Sequence, residues 1–187
     1  MLKDLQSANT ITSLAQELKL SRVGAWKIAK RLENQEFVVL TQMGKGKTNT
    51  NTIALNWGNL LLEKTLEMVL TQEALQYPRW RSSFVELEPS AEFLLLFGSV
   101  LHSEKEAKDI DLLAVCTQKN KLRNVIEGVA DIQTTQAKEI HTLSMTETEL
   151  ESELKKNTPA IHDALKKGVV LFGQDKFIKF MKRISKP

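Results

Sequence analysis

Cysteine is nearly absent from this chain of 187 residues: Cys116 stands alone, which excludes an intrachain disulfide framework. It ends an apolar strand-like run, so a buried thiol is expected. No apolar stretch approaches the roughly 20 residues that a membrane-crossing helix needs. The opening residues, MLKDLQSANT, lack the apolar core of a secretory signal. Together these absences point to a cytoplasmic protein without a membrane partner. Internal repeats and low-complexity runs are also missing. What remains is ordinary globular composition, 42% hydrophobic and 26% charged, long enough for two small domains.

The net charge of +3 is unevenly spread. Residues 1–57 hold eight Lys/Arg against four Asp/Glu, and residues 58–187 hold eighteen against nineteen. The basic excess therefore lies at the N-terminal end, where it suits a polyanionic partner.

The pattern of that end is helical at first. Ile11, Leu14, Ala15 and Leu18 recur at helical spacing, with Thr12 as a candidate N-cap. Ser21 can cap a second helix through about Asn34, whose apolar stripe is Ala25, Ile28, Ala29 and Leu32. Arg22, Trp26, Lys27, Lys30 and Arg31 fall off that stripe and form a basic face. FVVLTQM (37–43) and TNTIALNW (50–57) read as two strands around a Gly/Lys turn. Two short helices and a hairpin with a basic tip resemble the winged helix-turn-helix domains of bacterial and archaeal regulators. The resemblance covers residues 1–57 and implies that the second helix enters a DNA major groove. Arg22, Trp26, Lys27 and Lys30 on the helix, with Lys45 and Lys47 on the wing, are the candidate DNA-binding residues. Trp26 packs on sugar or base, or covers a dimer contact. A protein-binding or dimerising role for the whole segment is the competing reading.

A helical pattern follows over NLLLEKTLEMVLTQEAL (59–75), stopped by Pro78. Residues 58–90 are read as a helical connector. Within it, Tyr77–Arg81 is an aromatic and basic cluster, better suited to packing at a helix end than to touching nucleic acid.

The richest chemistry lies in FGSVLHSEKEAKDIDLL (97–113). An apolar run, 93–97, stops at Gly98–Ser99. A polar spacer follows. Asp109 and Asp111 then open a second apolar run. Side chains two apart on a strand share a face, so the two carboxylates project together. Such a pair repels itself unless a cation lies between its members, and Mg²⁺ with phosphate oxygens suits that position. Gly98 allows backbone to approach a phosphate, and a helix expected near Ser99 offers N–H donors to an anion.

Gly-Ser, a spacer and Asp-hydrophobic-Asp resemble the signature of the polymerase β-like nucleotidyltransferases, here in minimal form. The resemblance runs from about Glu92 to the C-terminus, and the nucleotidyltransferase domain it implies spans residues 91–187. GVVLFGQDKF (168–177) is similar to the family's Gly-aliphatic-Leu-Tyr-Gly element after its last helix. The resemblance implies an α/β (α+β) fold, with a short mixed sheet flanked by helices. It implies transfer of a nucleoside monophosphate from a nucleoside triphosphate (NTP). Gly98 and Ser99 would hold the triphosphate, and Asp109 and Asp111 would bind two Mg²⁺ ions. A third carboxylate on a later strand is also implied. Glu139, at the start of KEIHTLSM (138–145), is the choice, with His141 on the same face as the alternative. The acceptor is a nucleic-acid end or a protein hydroxyl, as on a toxin-like partner. The basic residue and glycine usual after Gly-Ser are missing. This departure favours a second reading, a DNA-binding regulator or antitoxin with a nucleotide-sensing domain, and a homodimer is compatible with either.

Overall fold

A computed structural model describes residues 2–3, 9–43 and 50–185. The chain forms two compact units, Met1–Thr65 and Leu66–Pro187. Among the described residues there are eight α-helices, a two-stranded sheet and a mixed four-stranded sheet flanked by helices.

In the first unit, α1 spans Ile11–Glu17 and α2 spans Arg22–Asn34. The cap of α1 is Thr10 rather than Thr12. Its hydroxyl accepts the Ser13 N–H at 3.0 Å, and Ser13 Oγ accepts the Thr10 N–H at 2.9 Å. This reciprocal pair satisfies two donors at once, with serine where a glutamate more often stands. The helix ends at Glu17 with Leu18 as its C-cap, and Lys19 follows with a left-handed φ of 53°. Ser21 caps α2 as expected, accepting the Gly24 N–H at 3.0 Å.

Strands β1 (Val38–Met43) and β2 (Thr50–Leu55) pair antiparallel, from Val38 opposite Leu55 to Met43 opposite Thr50. Thr10 bridges to Thr52 beside them. Ile11, Ala15, Ala25, Ala29, Val38 and Ile53 form the core of this unit. The apolar stripe of α2 is rotated from the expected one. Ile28 is 49% exposed, and Trp26 packs against the core in its place. The Asn56 and Asn59 amides close the unit by donating to the Glu36 carbonyl at 2.8 and 3.2 Å.

Helix α3 spans Leu60–Ala74, and Pro78 occupies the first turn of α4 (Pro78–Phe84), where its missing N–H costs nothing. In the second unit the strands are β3 (Phe93–Phe97), β4 (Asp109–Cys116), β5 (Glu139–Thr146) and β6 (Val169–Phe172). Their spatial order is β5-β4-β3-β6. Strand β4 is antiparallel to β3 and parallel to β5, with α5 (Lys119–Gln133) as the crossover. Helices α6 (Glu147–Lys155) and α7 (Pro159–Lys167) join β5 to β6, and α8 (Gln174–Ile184) follows. The Gly-aliphatic element therefore precedes a further helix.

Both faces of the central strands are covered, which explains their continuous apolar runs. On one face Leu94, Leu96, Ile110, Leu112 and Ala114 join Trp80, Phe84, Leu87 and Val125 in one cluster. On the other, Phe93 meets Phe177 edge-on at 5.4 Å and Phe180 at 5.6 Å. Cys116 is fully buried, and burial pushes its thiol above the ordinary range, which keeps it unreactive. Trp80 is buried in the core, and Arg81 donates to the Leu171 carbonyl while its guanidinium lies over Phe172. The Tyr77–Arg81 cluster is thus spent on packing.

Candidate metal and phosphate site

The register of β4 against β5 builds the site. Asp109 stands opposite Glu139, and Asp111 stands opposite His141. Alternation then places all four side chains on one face of the sheet, while Ile110 and Ile140 enter the core behind them. His141 Nδ1 lies 3.6 Å from Asp109 Oδ2 and 3.7 Å from Asp111 Oδ1. Its other nitrogen, Nε2, lies 3.5 Å from Glu139 Oε1. Among the described residues, Asp109, Asp111 and His141 form a group whose ligand atoms all lie within 4.8 Å of one another. Two carboxylates and an imidazole are a donor set that fits a divalent cation.

Of the two candidates for the third position, His141 joins the aspartates. Glu139 is 77% exposed and reaches the far side of the imidazole. Asp111 is the least exposed of the four, at 25%. Burial and the neighbouring Asp109 charge raise its carboxyl above the ordinary value of 3.8, and His141 partly offsets them. A carboxylate pair held under such repulsion gains from any cation placed between its members.

The turn after β3 meets this face from the other side of β4. Phe97 pairs with Asp111, so Gly98 follows directly beneath that carboxylate. Gly98 has φ 80° and ψ −159°, a conformation that side chains rarely adopt. A Cβ there would stand 2.1 Å from Asp111 Oδ2. The glycine is therefore required twice, by its backbone and by the acid lying against it.

After Gly98 the expected helix is a single 3₁₀ turn, Ser99–Leu101. The Ser99 carbonyl accepts from both His102 N–H at 3.0 Å and Ser103 N–H at 3.2 Å, which closes the turn. Buried Val100 anchors it, while Ser99 is exposed. A turn this short brings no helix dipole, so phosphate contacts here rest on single N–H groups and the Ser99 hydroxyl. Lys138 fixes the spacer by donating to the carbonyls of Glu104, at 2.6 Å, and Ala107. Sequence reasoning missed this lysine, whose signal was its place just before the strand that carries Glu139. His102, Lys105 and Lys108 are exposed.

On the first unit, Arg22, Lys27 and Lys30 are exposed along α2. Lys30 pairs with Glu33 at 2.6 Å and lies 5.1 Å over the Trp26 ring. Arg22 and Trp26 line a groove of about 270 Å³ with Ile11, Thr12, Val23 and Asn51. Lys45 and Lys47 fall outside the described residues. Comparison with protein-family models, with curated proteins and with solved structures finds no match for this chain.

Proposed function

We propose that the second unit is a divalent-metal-dependent nucleotidyltransferase. In this reading the unit has the nucleotidyltransferase fold, and the first unit is a winged helix that binds DNA. One observation carries it: the Asp111 carboxylate lies against Gly98, so the Gly-Ser turn and the Asp109–Asp111 pair share one end of the sheet. The space that a Cβ would take at Gly98 goes to the Asp111 carboxylate, which sets the turn backbone and the acid pair side by side for one phosphate chain. The Ser99 hydroxyl donates to it. Asp109 and Asp111, with His141, hold the cation, which supplies neutralisation of the phosphate charge when bound. The acceptor hydroxyl belongs to a nucleic-acid end or a toxin-like protein, and Mg²⁺ is the ion that the sequence suggests.

The experiment is incubation with α-labelled nucleoside triphosphates, a divalent cation and candidate acceptors. Label should pass to the acceptor with wild type and fall at least a hundredfold with Asp109→Asn/Asp111→Asn. Equal labelling by both sinks the reading.

The exposed Arg22 and Lys27 on α2 support a second reading: a DNA-binding regulator whose second unit binds nucleotide without turnover. Nucleotide binding with no label transfer, together with salt-sensitive binding to duplex DNA, selects it.

A further inference from the structure

We infer that His141, with Glu139 behind it, makes this a transition-metal site that takes Mn²⁺ or Zn²⁺ in preference to Mg²⁺. The inference deepens the metal requirement on which the proposed transfer rests. It stands on the β4–β5 register, which sets one imidazole nitrogen toward two carboxylates and the other toward a third.

The geometry is close to a ligand set. Two donors, each about 2.1 Å from one ion, stand about 3.0 Å apart at an octahedral right angle and about 3.4 Å apart at a tetrahedral angle. His141 Nδ1 stands 3.6 and 3.7 Å from the aspartate oxygens. Closing the difference takes small rotations of side chains that are at least a quarter exposed.

The chemistry then selects the ion. Mg²⁺ is hard, prefers oxygen donors and sheds water reluctantly. An imidazole nitrogen therefore adds little to Mg²⁺ affinity. It adds much more to the first-row transition ions, for which nitrogen donors are well suited. Glu139 strengthens this bias. Its carboxylate lies 3.5 Å from Nε2, at the outer limit of hydrogen-bond reach, so that a small rotation would let it accept that N–H. Holding the proton on Nε2 leaves the Nδ1 lone pair facing the aspartates, as a carboxylate behind a ligating histidine does. Glu139 thus acts as a positioning residue, and the three-ligand face leaves the remaining coordination positions open to water or phosphate.

The test uses the full chain, stripped of metal with chelator and without nucleotide. Free Mn²⁺ is read by electron paramagnetic resonance, and Mg²⁺ and Zn²⁺ are titrated in competition. Mn²⁺ should bind at least about tenfold tighter than Mg²⁺. His141→Ala should weaken Mn²⁺ more than about tenfold while changing Mg²⁺ less than about threefold. His141→Asp should bring the two affinities together. Glu139→Gln should weaken Mn²⁺ about tenfold, the usual effect of removing such a partner. Bound Mn²⁺ should show nitrogen modulation in its spin echo, and His141→Ala should erase it. Equal Mn²⁺ and Mg²⁺ affinities, or a ratio indifferent to His141→Ala, would overturn the inference and leave His141 as an ion-pair partner only. Both altered side chains are at least half exposed, and thermal melts of each variant check that the fold persists. Because no nucleotide is present, a failure of label transfer leaves this result standing and counts against the transferase reading alone.

Discussion

Replacing Gly98 with alanine tests whether turn and acid are one unit. Two costs are separable on structural grounds. The first is conformational, because φ 80° with ψ −159° is almost closed to a residue with a Cβ, at about 1–3 kcal/mol. The second is steric, since the new methyl would stand 2.1 Å from Asp111 Oδ2 and must displace it. Crowding of this kind costs about 1–3 kcal/mol. Gly98→Ala should therefore destabilise the second unit by about 2–6 kcal/mol. Asp111→Ala removes the obstacle, so in that background only the conformational cost remains. The coupling between the two substitutions should reach at least about 1 kcal/mol, well above the few tenths seen for independent sites. Urea unfolding followed by tryptophan fluorescence reads this if Trp26 and Trp57 are first changed to phenylalanine, leaving Trp80 in the core of the second unit. Gly173→Ala is the control. Its Cβ would stand 2.0 Å from the Glu92 carbonyl oxygen, which is backbone, so Asp111→Ala cannot relieve it. Equal costs for Gly98→Ala in both backgrounds would refute the placement of Asp111 over Gly98.

Asp111→Asn should stabilise the metal-free protein at neutral pH while abolishing metal binding. The folded state raises the Asp111 pKa, so the ionised carboxylate works against folding once pH passes 3.8 and fully above the raised value. Partial exposure screens the repulsion, so the gain is about 1 kcal/mol, vanishing below pH 3.8, by thermal melts in chelator. The Glu92 carboxyl is lowered chiefly by the Thr117 hydroxyl, which donates at 2.7 Å, with Lys176 assisting. Thr117→Val should cost about 1 kcal/mol above pH 4.5, and the loss should fade as pH falls through the depressed value; a pH-independent cost would contradict it. Arg22→Ala with Lys27→Ala should weaken duplex DNA binding and flatten the salt dependence by about two units of log–log slope. An unchanged slope in a fluorescence-anisotropy titration removes these residues from the interface.

How far the sequence reaches can be seen at three positions. Ser21 was readable as a cap because an N-cap acts locally, through one hydroxyl and an N–H three residues on. Thr12 was misread for the same local reason: Thr10 offers the same hydroxyl two residues earlier, and the Ser13 hydroxyl decides between them. The rotation of α2 was harder to see. A helical stripe ranks Ile28 above Trp26, yet the core that α2 meets, with Ile11, Ala15, Val38 and Ile53, takes Trp26 and leaves Ile28 half exposed. Only the packed partners reveal that.

The third acid illustrates the limit most sharply. Glu139 and His141 are two apart on one strand, so alternation gives them the same face and cannot choose between them. The choice lies in the register of β5 on β4, a relation between segments some thirty residues apart in sequence. The register sets His141 beside Asp111 and Glu139 beside Asp109. The imidazole, set beside the deeper acid, then faces both aspartates through Nδ1, and the glutamate is left with Nε2. Sliding β5 by two residues would keep every buried side chain on its face but set Glu139, in place of His141, opposite Asp111. What pins the register is Gln133 at the end of α5. Its amide donates to the Lys138 carbonyl at 3.0 Å, and its oxygen accepts the Ile140 N–H at 2.7 Å. Lys138 pins it again from the spacer side. The set of side chains that this face of the sheet presents is therefore decided by residues outside it, which fix where the strand begins.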